Sequence, residues 1–425
     1  MADLNTLTAT EAAALIAQRK VSSEELTKAC LARIRTREPE VQAWAALDED
    51  LALKAARAAD AAKPASPLHG VPFAVKDVID TAELPTEYGS SIFAGHRPAK
   101  DAACVAKMKA AGAVMLGKTV STEFATFRPG KTRNPHNIAH TPGGSSMGSA
   151  AAVADFMVPI AFANQTAGSL IRPASFCGIA GFKPTYGTVD TGGILPLAPS
   201  FDTLGYYGRS FDDMAAFYGV IRGVARPPLA DGLGRPPRVG FYRHLERKKA
   251  EPASTAAVES AAKRLAALGA TVDEIALPSE FDDITEVHGR MLNVELTRTL
   301  GDIYRNHHNE LSEVLRGMIE DGFKTPPETY AAAVAHADKC KSMINAAFDG
   351  YDVLLCPSAP GEAPKGLGMT GSPIFQTGWT LLQVPCATVP FAKGPNGLPV
   401  GVQLIGRRDD DETLLRVAKW FQTRM

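Results

Sequence analysis

The sequence predicts a single large α/β domain. Short apolar runs alternate with stretches of helical periodicity along most of the 425 residues, and this alternation is typical of a sheet covered by helices. With 45% hydrophobic and 21% charged residues, the chain can bury a large core. Near its C-terminus, "LPVGVQLIG" at 398–406 and the amphipathic "DETLLRVAKWFQ" read as further sheet and helix layers of the same domain.

Residues 1–62 are predicted to form a helical lead-in. Thr8 with Glu11 and Ser22 with Glu25 fit the capping box, in which a hydroxyl and a glutamate three residues later satisfy free backbone N–H groups at a helix start. Apolar residues then recur at helical spacing, namely Leu26, Cys30, Leu31 and Ile34. The lead-in therefore consists of helices in this interpretation.

Residues 63–225 are predicted to form the central α/β part of the chain. Strand-like "VPFAVK", "AVMLGK" and "VPIAF" alternate there with helical stretches at 101–111 and 148–157. A proline- and glycine-rich cluster at 226–237 separates this part from a remaining α/β part at 238–425. The cluster is either a domain linker or a long surface loop, and we favour one domain.

Charge and cysteine content limit the class of protein. Forty-five basic and 46 acidic residues give a net charge of −1, which leaves no overall basic surface for nucleic acid or anionic membrane. Six cysteines lack paired spacing, so we expect reduced thiols. The N-terminus has no basic leader, and no apolar run is long enough to span a membrane. We therefore expect a cytoplasmic protein that binds a small molecule.

The first candidate catalytic segment is "GVPFAVKDVID", in which Lys76 ends an apolar strand-like run. Burial of an ammonium group disfavours its charge and lowers the pKa of the lysine, so that it can act as a base. The alternative is a lysine whose amine reaches water at the end of the strand.

The second segment, "HTPGGSSMGSAAAVADF", places two serines in a glycine-rich turn that leads into a helix near Gly148. Such a turn aims backbone N–H groups at an anion or a developing oxyanion, although a flexible loop has the same composition. Gly144, Ser146 and Gly148 also fit the G-x-S-x-G nucleophile elbow. We treat that match as accidental, because "RNPHNIAHTP" precedes it where an elbow needs an apolar strand.

The third segment is "ANQTAGSLIRPASFCGIAGFKPTYG", residues 163–187. The run Thr166-Ala167-Gly168 can bend tightly enough to point backbone amides at a carbonyl oxygen, with the Ser169 hydroxyl beside the carbonyl carbon. Small residues before a serine also serve simple close packing. The segment alone leaves both interpretations open.

Histidine is the usual base of serine hydrolases, but no histidine here lies in a setting typical of a catalytic triad. His136 and His140 are four residues apart, yet Pro135 and the absence of an intervening glutamate argue against a zinc-binding helix. His307 and His308 lie in "YRNHHNE", which reads as a polar helix face. We expect neither a metal nor a cofactor.

Taken together, Lys76, "GGSSMGSA" and "QTAGSLIRPASFCGIAGFKPT" resemble the amidase signature family of serine hydrolases. The resemblance extends from "PLHGVPFAVKD" to "GLPVGVQLIG", and it implies one domain with a mixed, mostly parallel twisted sheet covered by helices. It also implies that 63–225 is the catalytic core. In the family's Ser-cisSer-Lys triad, Ser169 is the nucleophile, Ser145 the bridging serine after a cis peptide bond, and Lys76 the terminal base.

The resemblance also implies an oxyanion hole and a substrate pocket. The oxyanion would be held by the amides of the turn before the nucleophile, at Thr166, Ala167, Gly168 and Ser169 itself. Many members have glycine at the position of Ala167, whose methyl group restricts φ and could narrow the turn. Pocket residues are expected at Gly144, Met147, Gln165 and Arg172.

Arg172 lies one position later than the arginine of many family members. Gln165 and this shifted arginine resemble the malonamidase group of the family, in which the arginine binds the carboxylate of a half-amide. A guanidinium three residues after the nucleophile can enter the same cavity and offers a fork suited to a carboxylate. The alternative is a structural ion pair with Asp77 or Asp202.

The resemblance implies an amidohydrolase that forms an acyl-enzyme on a small primary amide, such as the half-amide malonamate. Alternatives are a glutaminase-type subunit of a tRNA-dependent amidotransferase, an amidase for aryl amides or urea-like substrates, and an inactive scaffold. The expected partners are the small-molecule amide and, in a homodimer, a second copy of the chain. Neither nucleic acid nor membrane is expected to bind.

Overall fold

The computed structural model describes residues 3–224, 229–243 and 246–425. Of the proline- and glycine-rich cluster at 226–237, residues 226–228 lie outside the described residues. One eleven-stranded sheet runs through the described ranges on both sides of this cluster. The prediction of one large α/β domain is confirmed, and the boundaries at 62, 63, 225 and 238 stay predictions.

The α-helices are numbered in chain order. They are α1 (Ala9–Ala17), α2 (Ser23–Val41), α3 (Glu49–Ala61), α4 (Ala103–Ala110), α5 (Met147–Ala154), α6 (Ile171–Cys177), α7 (Phe211–Arg222), α8 (Pro252–Ala267), α9 (Ile284–Asn306), α10 (Glu313–Lys324), α11 (Pro327–Met343), α12 (Thr377–Leu381) and α13 (Asp411–Gln422).

The strands are also numbered in chain order. They are β1 (Trp44–Leu47), β2 (Pro72–Lys76), β3 (Val114–Thr119), β4 (Ile160–Gln165), β5 (Ala180–Lys183), β6 (Thr203–Gly208), β7 (Arg238–Tyr242), β8 (Thr271–Ile275), β9 (Val353–Pro357), β10 (Cys386–Lys393) and β11 (Pro399–Gly406).

The sheet is mixed, with the strand order β1-β3-β2-β4-β6-β5-β10-β11-β9-β7-β8. Within the described ranges, four neighbouring pairs are parallel and six are antiparallel. The expectation of a mostly parallel sheet is therefore corrected. Helix crossovers through α4 and α8 make β2–β3 and β7–β8 parallel, whereas the short turn between β10 and β11 imposes antiparallel pairing.

The lead-in has the predicted helix starts but is not all helix. Thr8 and Ser22 are N-caps, and both capping boxes are formed, with Glu11 and Glu25. Trp44–Leu47 instead forms β1, which pairs antiparallel with β3 at the edge of the sheet. Four residues are too few to show strand alternation between two helices, so the sequence did not reveal this strand.

The candidate site lies where two central strands end. Strands β2 and β4 are parallel neighbours, paired at Phe73 with Ile160 and at Ala74 with Ala161, so their carboxyl ends reach the same edge of the sheet. Lys76 is the last residue of β2, and β4 ends at Gln165. Behind this edge, Phe162 packs on Phe73, Tyr206 and Phe217 in a buried aromatic cluster.

The second candidate catalytic segment, which contains Ser145 and Ser146, also lies at this edge. Its turn leads into α5, which begins at Met147, one residue before the predicted start. Gly148 lies in the first turn of α5, and its N–H donates to Val120 O at 3.0 Å. The helix start is thereby fixed against the residue that follows β3.

Gly148→Ala is expected to lower the free energy of unfolding by about 1–3 kcal/mol, the usual cost of overpacking. A Cβ atom there would lie 2.3 Å from Ala43 O and 2.4 Å from Val120 N, and backbone atoms cannot easily move aside. Gly289→Ala in α9 is the matched control: nothing lies within 4 Å of its added Cβ, so up to about 1 kcal/mol of stabilisation is expected. Denaturant unfolding measures both, and equal small effects would contradict the close approach.

The six cysteines are buried, and none of them is bonded to another. Among the helices described, none is long and apolar enough to cross a membrane.

Candidate active site

A narrow cleft opens beside the end of β4. One wall is the segment from Thr166 to Ser169, which we call the 166–169 turn, together with Arg172. Apolar side chains from other parts of the chain, including Leu197, Leu292 and Met318, complete the lining. The cleft thus combines a nucleophilic hydroxyl, backbone amides and one cation with an apolar surround.

Lys76 lies at the buried end of β2 with no exposed side-chain surface. Its Nζ is 2.6 Å from Ser145 Oγ and 2.5 Å from Asn164 Oδ1. Because an amide oxygen only accepts hydrogen bonds, an N–H of Lys76 donates to Asn164. In the neutral amine, the lone pair is then free to accept from the Ser145 hydroxyl.

Burial lowers the pKa of Lys76 well below its usual range. The negative charge of Asp202 raises this pKa by a smaller amount, and the positive charge of Arg172 lowers it further. The predicted neutral lysine therefore has a physical basis, and the alternative of an amine that reaches water does not occur.

Two backbone contacts hold the Ser145 segment in place. Ser146 N donates to Ser169 O at 3.2 Å, and Thr122 N donates to Ser145 O at 3.3 Å. The Gly144–Ser145 peptide bond is cis, as the family resemblance implies. The structure therefore brings Lys76, Ser145 and the Ser169 segment to one place, although 69 residues separate the first two along the chain.

The 166–169 turn is held through its carbonyl groups. Thr166 O accepts from His288 Nε2 at 2.8 Å, and Ala167 O accepts from Thr380 Oγ1 at 2.7 Å. Within the part of the chain that the structure describes, the backbone N–H groups of residues 166–169 have no protein acceptor. Free amides beside a serine hydroxyl are the arrangement that stabilises an oxyanion.

Arg172 follows the turn in the first turn of α6 and is 2% exposed. Its Nη2 donates to Gly144 O at 2.5 Å and to Thr370 Oγ1 at 3.2 Å, whereas Nε and Nη1 are buried and have no partner in the described residues. Burial lowers the pKa of Arg172 to about 10, so the guanidinium is still protonated at neutral pH. It is a buried cation with unused donors at the cleft wall.

The alternative of a structural ion pair for Arg172 is not observed. Asp77 lies 3.4 Å from Lys118 and accepts from Glu87 N. Asp202 accepts from Thr166 Oγ1 at 2.6 Å and from two backbone amides that follow Pro196. Both carboxylates are thus occupied elsewhere.

Three of the expected pocket residues are not among those that line this cleft, and their contact with substrate stays a prediction. Gln165 Oε1 accepts from the N–H groups of Leu170 and Ile171, and Gln165 Nε2 donates to Thr380 Oγ1, so its amide is used in holding the start of α6. Met147 is buried, with its sulfur accepting from Gly130 N. Gly144 contributes its carbonyl to Arg172 rather than a surface to the cleft.

The histidines that were not expected to bind a metal make separate hydrogen bonds. His136 Nε2 contacts Cys177 O at 2.9 Å, and His140 Nδ1 contacts Ala363 O at 2.8 Å. In the ranges described, no group of histidine, cysteine and acidic side chains is arranged to hold a metal ion. His307 caps the end of α9 and pairs with Glu310 at the surface.

Sequence reasoning missed several residues that organise the site. Asn164, the acceptor for Lys76, is a polar residue near the end of an apolar strand, and that position was a usable signal. His288 on α9 and Thr380 on α12 lie outside the motif segments, 122 and 213 residues from the carbonyls they contact. Nothing local in the sequence around them predicts these contacts.

Comparison with known proteins decides the family. Residues 25–415 match the family model described as Amidase. The chain belongs to the amidase family. Among curated proteins, the A subunit of glutamyl-tRNA(Gln) amidotransferase from Roseiflexus castenholzii is 36% identical over 487 aligned positions, which cover 99% of this chain and 96% of the relative.

Solved structures of the family share the fold. The crystal structure of an amidase superimposes with a TM-score of 0.90 at 29% identity, covering 99% of this chain and 100% of that one. The A subunit of glutamyl-tRNA(Gln) amidotransferase from Thermotoga maritima gives a TM-score of 0.84 at 28% identity, covering 99% of this chain and 95% of that one. The predictions of the amidase signature fold and of an amide-cleaving enzyme are confirmed.

Proposed function

We propose that this amidase hydrolyses a small primary amide that carries a carboxylate, through an acyl-enzyme on Ser169. The observation that carries the proposal is the buried Arg172 guanidinium, whose Nε and Nη1 have no partner among the described residues and which lines the same cleft as Ser169. Burying an unpaired cation costs folding free energy unless a ligand anion pairs with it.

The first half of the reaction is a proton relay. Ser169 Oγ attacks the amide carbon while its proton passes to Ser145 Oγ, whose own proton passes to the lone pair of Lys76 Nζ. Lys76 becomes an ammonium group and still donates to Asn164 Oδ1. The carbonyl oxygen becomes an oxyanion, held by the free amides of Thr166, Ala167, Gly168 and Ser169.

The second half reverses the relay. As the tetrahedral intermediate collapses, the C–N bond breaks and the proton held on Lys76 returns through Ser145 to the departing nitrogen, which leaves as ammonia. Water then gives a proton to the same relay and attacks the acyl carbon, which releases the carboxylic acid and restores Ser169.

The carboxylate of the substrate is the group we assign to Arg172. Two of its nitrogens are free, and the third is anchored by Gly144 O and Thr370 Oγ1, so the guanidinium is held in position before substrate binds. The half-amide malonamate and the amino acid glutamine both join a primary amide to a carboxylate, and they differ in the number of carbons between the two groups.

A glutaminase-type subunit of a tRNA-dependent amidotransferase is the second candidate. It is favoured by the curated relatives, since those with 34–36% identity are named as the A subunit of glutamyl-tRNA(Gln) amidotransferase. In that case the ammonia would pass to a partner protein. Malonamidase-type specificity rests on the resemblance of Gln165 and the shifted Arg172 to that group, because none of the relatives reported above is named as a malonamidase.

Ammonia release by the purified chain separates these candidates. Malonamate, succinamate and glutamine are offered at equal concentrations, with an aryl amide and a urea as neutral comparisons. A preference for malonamate supports a half-amide hydrolase, whereas a preference for glutamine together with a copurifying protein supports the amidotransferase role. Faster turnover of the neutral substrates than of all three acids would contradict a carboxylate-binding role for Arg172.

Arg172→Ala is expected to lower kcat/KM for the preferred acid by an amount equivalent to about 2–4 kcal/mol, because a desolvated carboxylate is left unpaired. The loss for butyramide, a neutral amide of similar size, should be much smaller. Thr370→Val serves as the matched control, since it removes an anchor of Arg172 at 3.2 Å but keeps the charge. Equal losses on acid and neutral amide would show that Arg172 is structural.

A further inference from the structure

We propose that His288 is a positioning residue for the oxyanion hole: it fixes the 166–169 turn by donating a hydrogen bond to Thr166 O. The inference rests on the proposed function, because it assumes that the amides of this turn bind the oxyanion. His288 lies on α9, far in sequence from the segments that carry the triad.

The contact defines the state of the imidazole ring. Nε2 of His288 lies 2.8 Å from Thr166 O, and since a carbonyl oxygen only accepts, the proton of the neutral ring is on Nε2. The ring stacks on Phe201 with centroids 4.2 Å apart and is 1% exposed. His288 is thus held in one orientation by its stacking partner and by its hydrogen bond.

His288 remains a neutral donor under ordinary conditions. Burial lowers the pKa of His288 to about 4, and the hydrogen bond to Thr166 raises it by a smaller amount. Among the described contacts, His288 hydrogen-bonds to Thr166 O and not to Ser169, so it is not placed as the base for the nucleophile. This separates its role from that of the histidine in a Ser-His-Asp triad.

The planarity of the peptide bond explains how the contact acts at a distance. In a trans peptide the C=O and N–H groups point in opposite directions. Fixing the carbonyl of Thr166 therefore fixes the N–H of Ala167, and fixing the carbonyl of Ala167 through Thr380 fixes the N–H of Gly168. His288 and Thr380 thus hold two successive carbonyls, and the N–H groups of Ala167 and Gly168 point in the opposite directions.

Other contacts hold the turn but do not set this orientation. The Thr166 side chain donates to Asp202 Oδ1 at 2.6 Å. A Cβ on Gly168 would lie 2.6 Å from Gln376 Oε1 and 2.8 Å from Pro373 Cβ, so the turn is closely packed. These contacts fix where the turn lies, whereas the His288 hydrogen bond fixes the direction of its first peptide plane.

The test compares His288→Phe with His288→Gln. Phenylalanine keeps a ring against Phe201 but removes the donor, whereas the amide nitrogen of glutamine can donate at a reach similar to that of Nε2. We expect His288→Phe to lower kcat by about 10- to 100-fold with less than about a threefold change in KM, because the oxyanion forms only after binding. His288→Gln should recover most of the loss.

Labelling of Ser169 by an activated fluorophosphonate, followed by intact mass, keeps the two proposals separate. Wild type that does not label would overturn the proposed function. Wild type that labels while a folded His288→Phe variant labels and turns over equally fast would overturn the role of His288 alone. Equal losses in the Phe and Gln variants, with unchanged thermal unfolding, would also overturn it. If His288→Phe does not fold, Thr380→Val removes the second carbonyl donor and should slow labelling in the same way.

Discussion

Ser169→Ala is expected to abolish amide hydrolysis, with a loss of at least about 10⁴-fold in kcat, because the covalent step is deleted. The fold should be unaffected, since the contact that ties this segment to the Ser145 segment is made by the backbone oxygen of Ser169, which alanine retains. Ammonia release and thermal unfolding measure the two properties.

Ser146→Ala is the matched control for that variant. Ser146 occupies the serine position of the G-x-S-x-G pattern, but its hydroxyl donates to Asn164 O at 3.3 Å within the protein. It should lose far less activity than Ser169→Ala. A larger loss in Ser146→Ala, with Ser169→Ala still active, would restore the elbow interpretation and remove Ser169 from the mechanism.

Lys76→Ala is expected to be nearly as damaging, because Ser145 then has no acceptor for its proton. Lys76→Arg should not rescue activity, since a guanidinium stays protonated. The direction in which wild-type activity changes with pH follows from the same role. The lysine must be neutral to accept a proton, so activity falls as pH falls through its pKa and is full above it.

Because burial lowers the pKa of Lys76 well below its usual range, the rising limb of the profile should lie well to the acid side of an ordinary lysine. Measuring kcat/KM from about pH 4 to 10, with chemistry shown to limit the rate, tests this. A profile that is flat in wild type would count against a titrating lysine base. A limb near the ordinary lysine value would mean that the amine is not desolvated during catalysis.

The local setting of the three residues was predictable, because Lys76 ends an apolar strand and Ser145 and Ser169 lie in small-residue turns before helices. Their roles in a triad came from the family resemblance and stay predictions. The order of the strands was not predictable in the same way. Antiparallel pairs such as β4 with β6 depend on how distant segments pack, and the short β1 has too few residues to show alternation.

The substrate side of the site was less predictable. Gln165 and Met147 lie beside the triad in sequence, yet their side chains turn inward to hold α6 and Gly130. Proximity in sequence does not state which way a side chain points. Conversely, His288 and Thr380 reach the turn from helices far along the chain, and only the tertiary fold brings them there.

The most direct test of the central claim is the site at which a fluorophosphonate attaches. We predict that wild type gains one adduct on the peptide that contains Ser169, that Ser169→Ala gains none, and that Lys76→Ala gains it far more slowly. Peptide mapping by mass spectrometry locates and quantifies the adduct in all three proteins. An adduct on Ser145 or Ser146 in wild type, or an unchanged adduct rate in Lys76→Ala, would contradict the assignment of Ser169 as a nucleophile activated by Lys76.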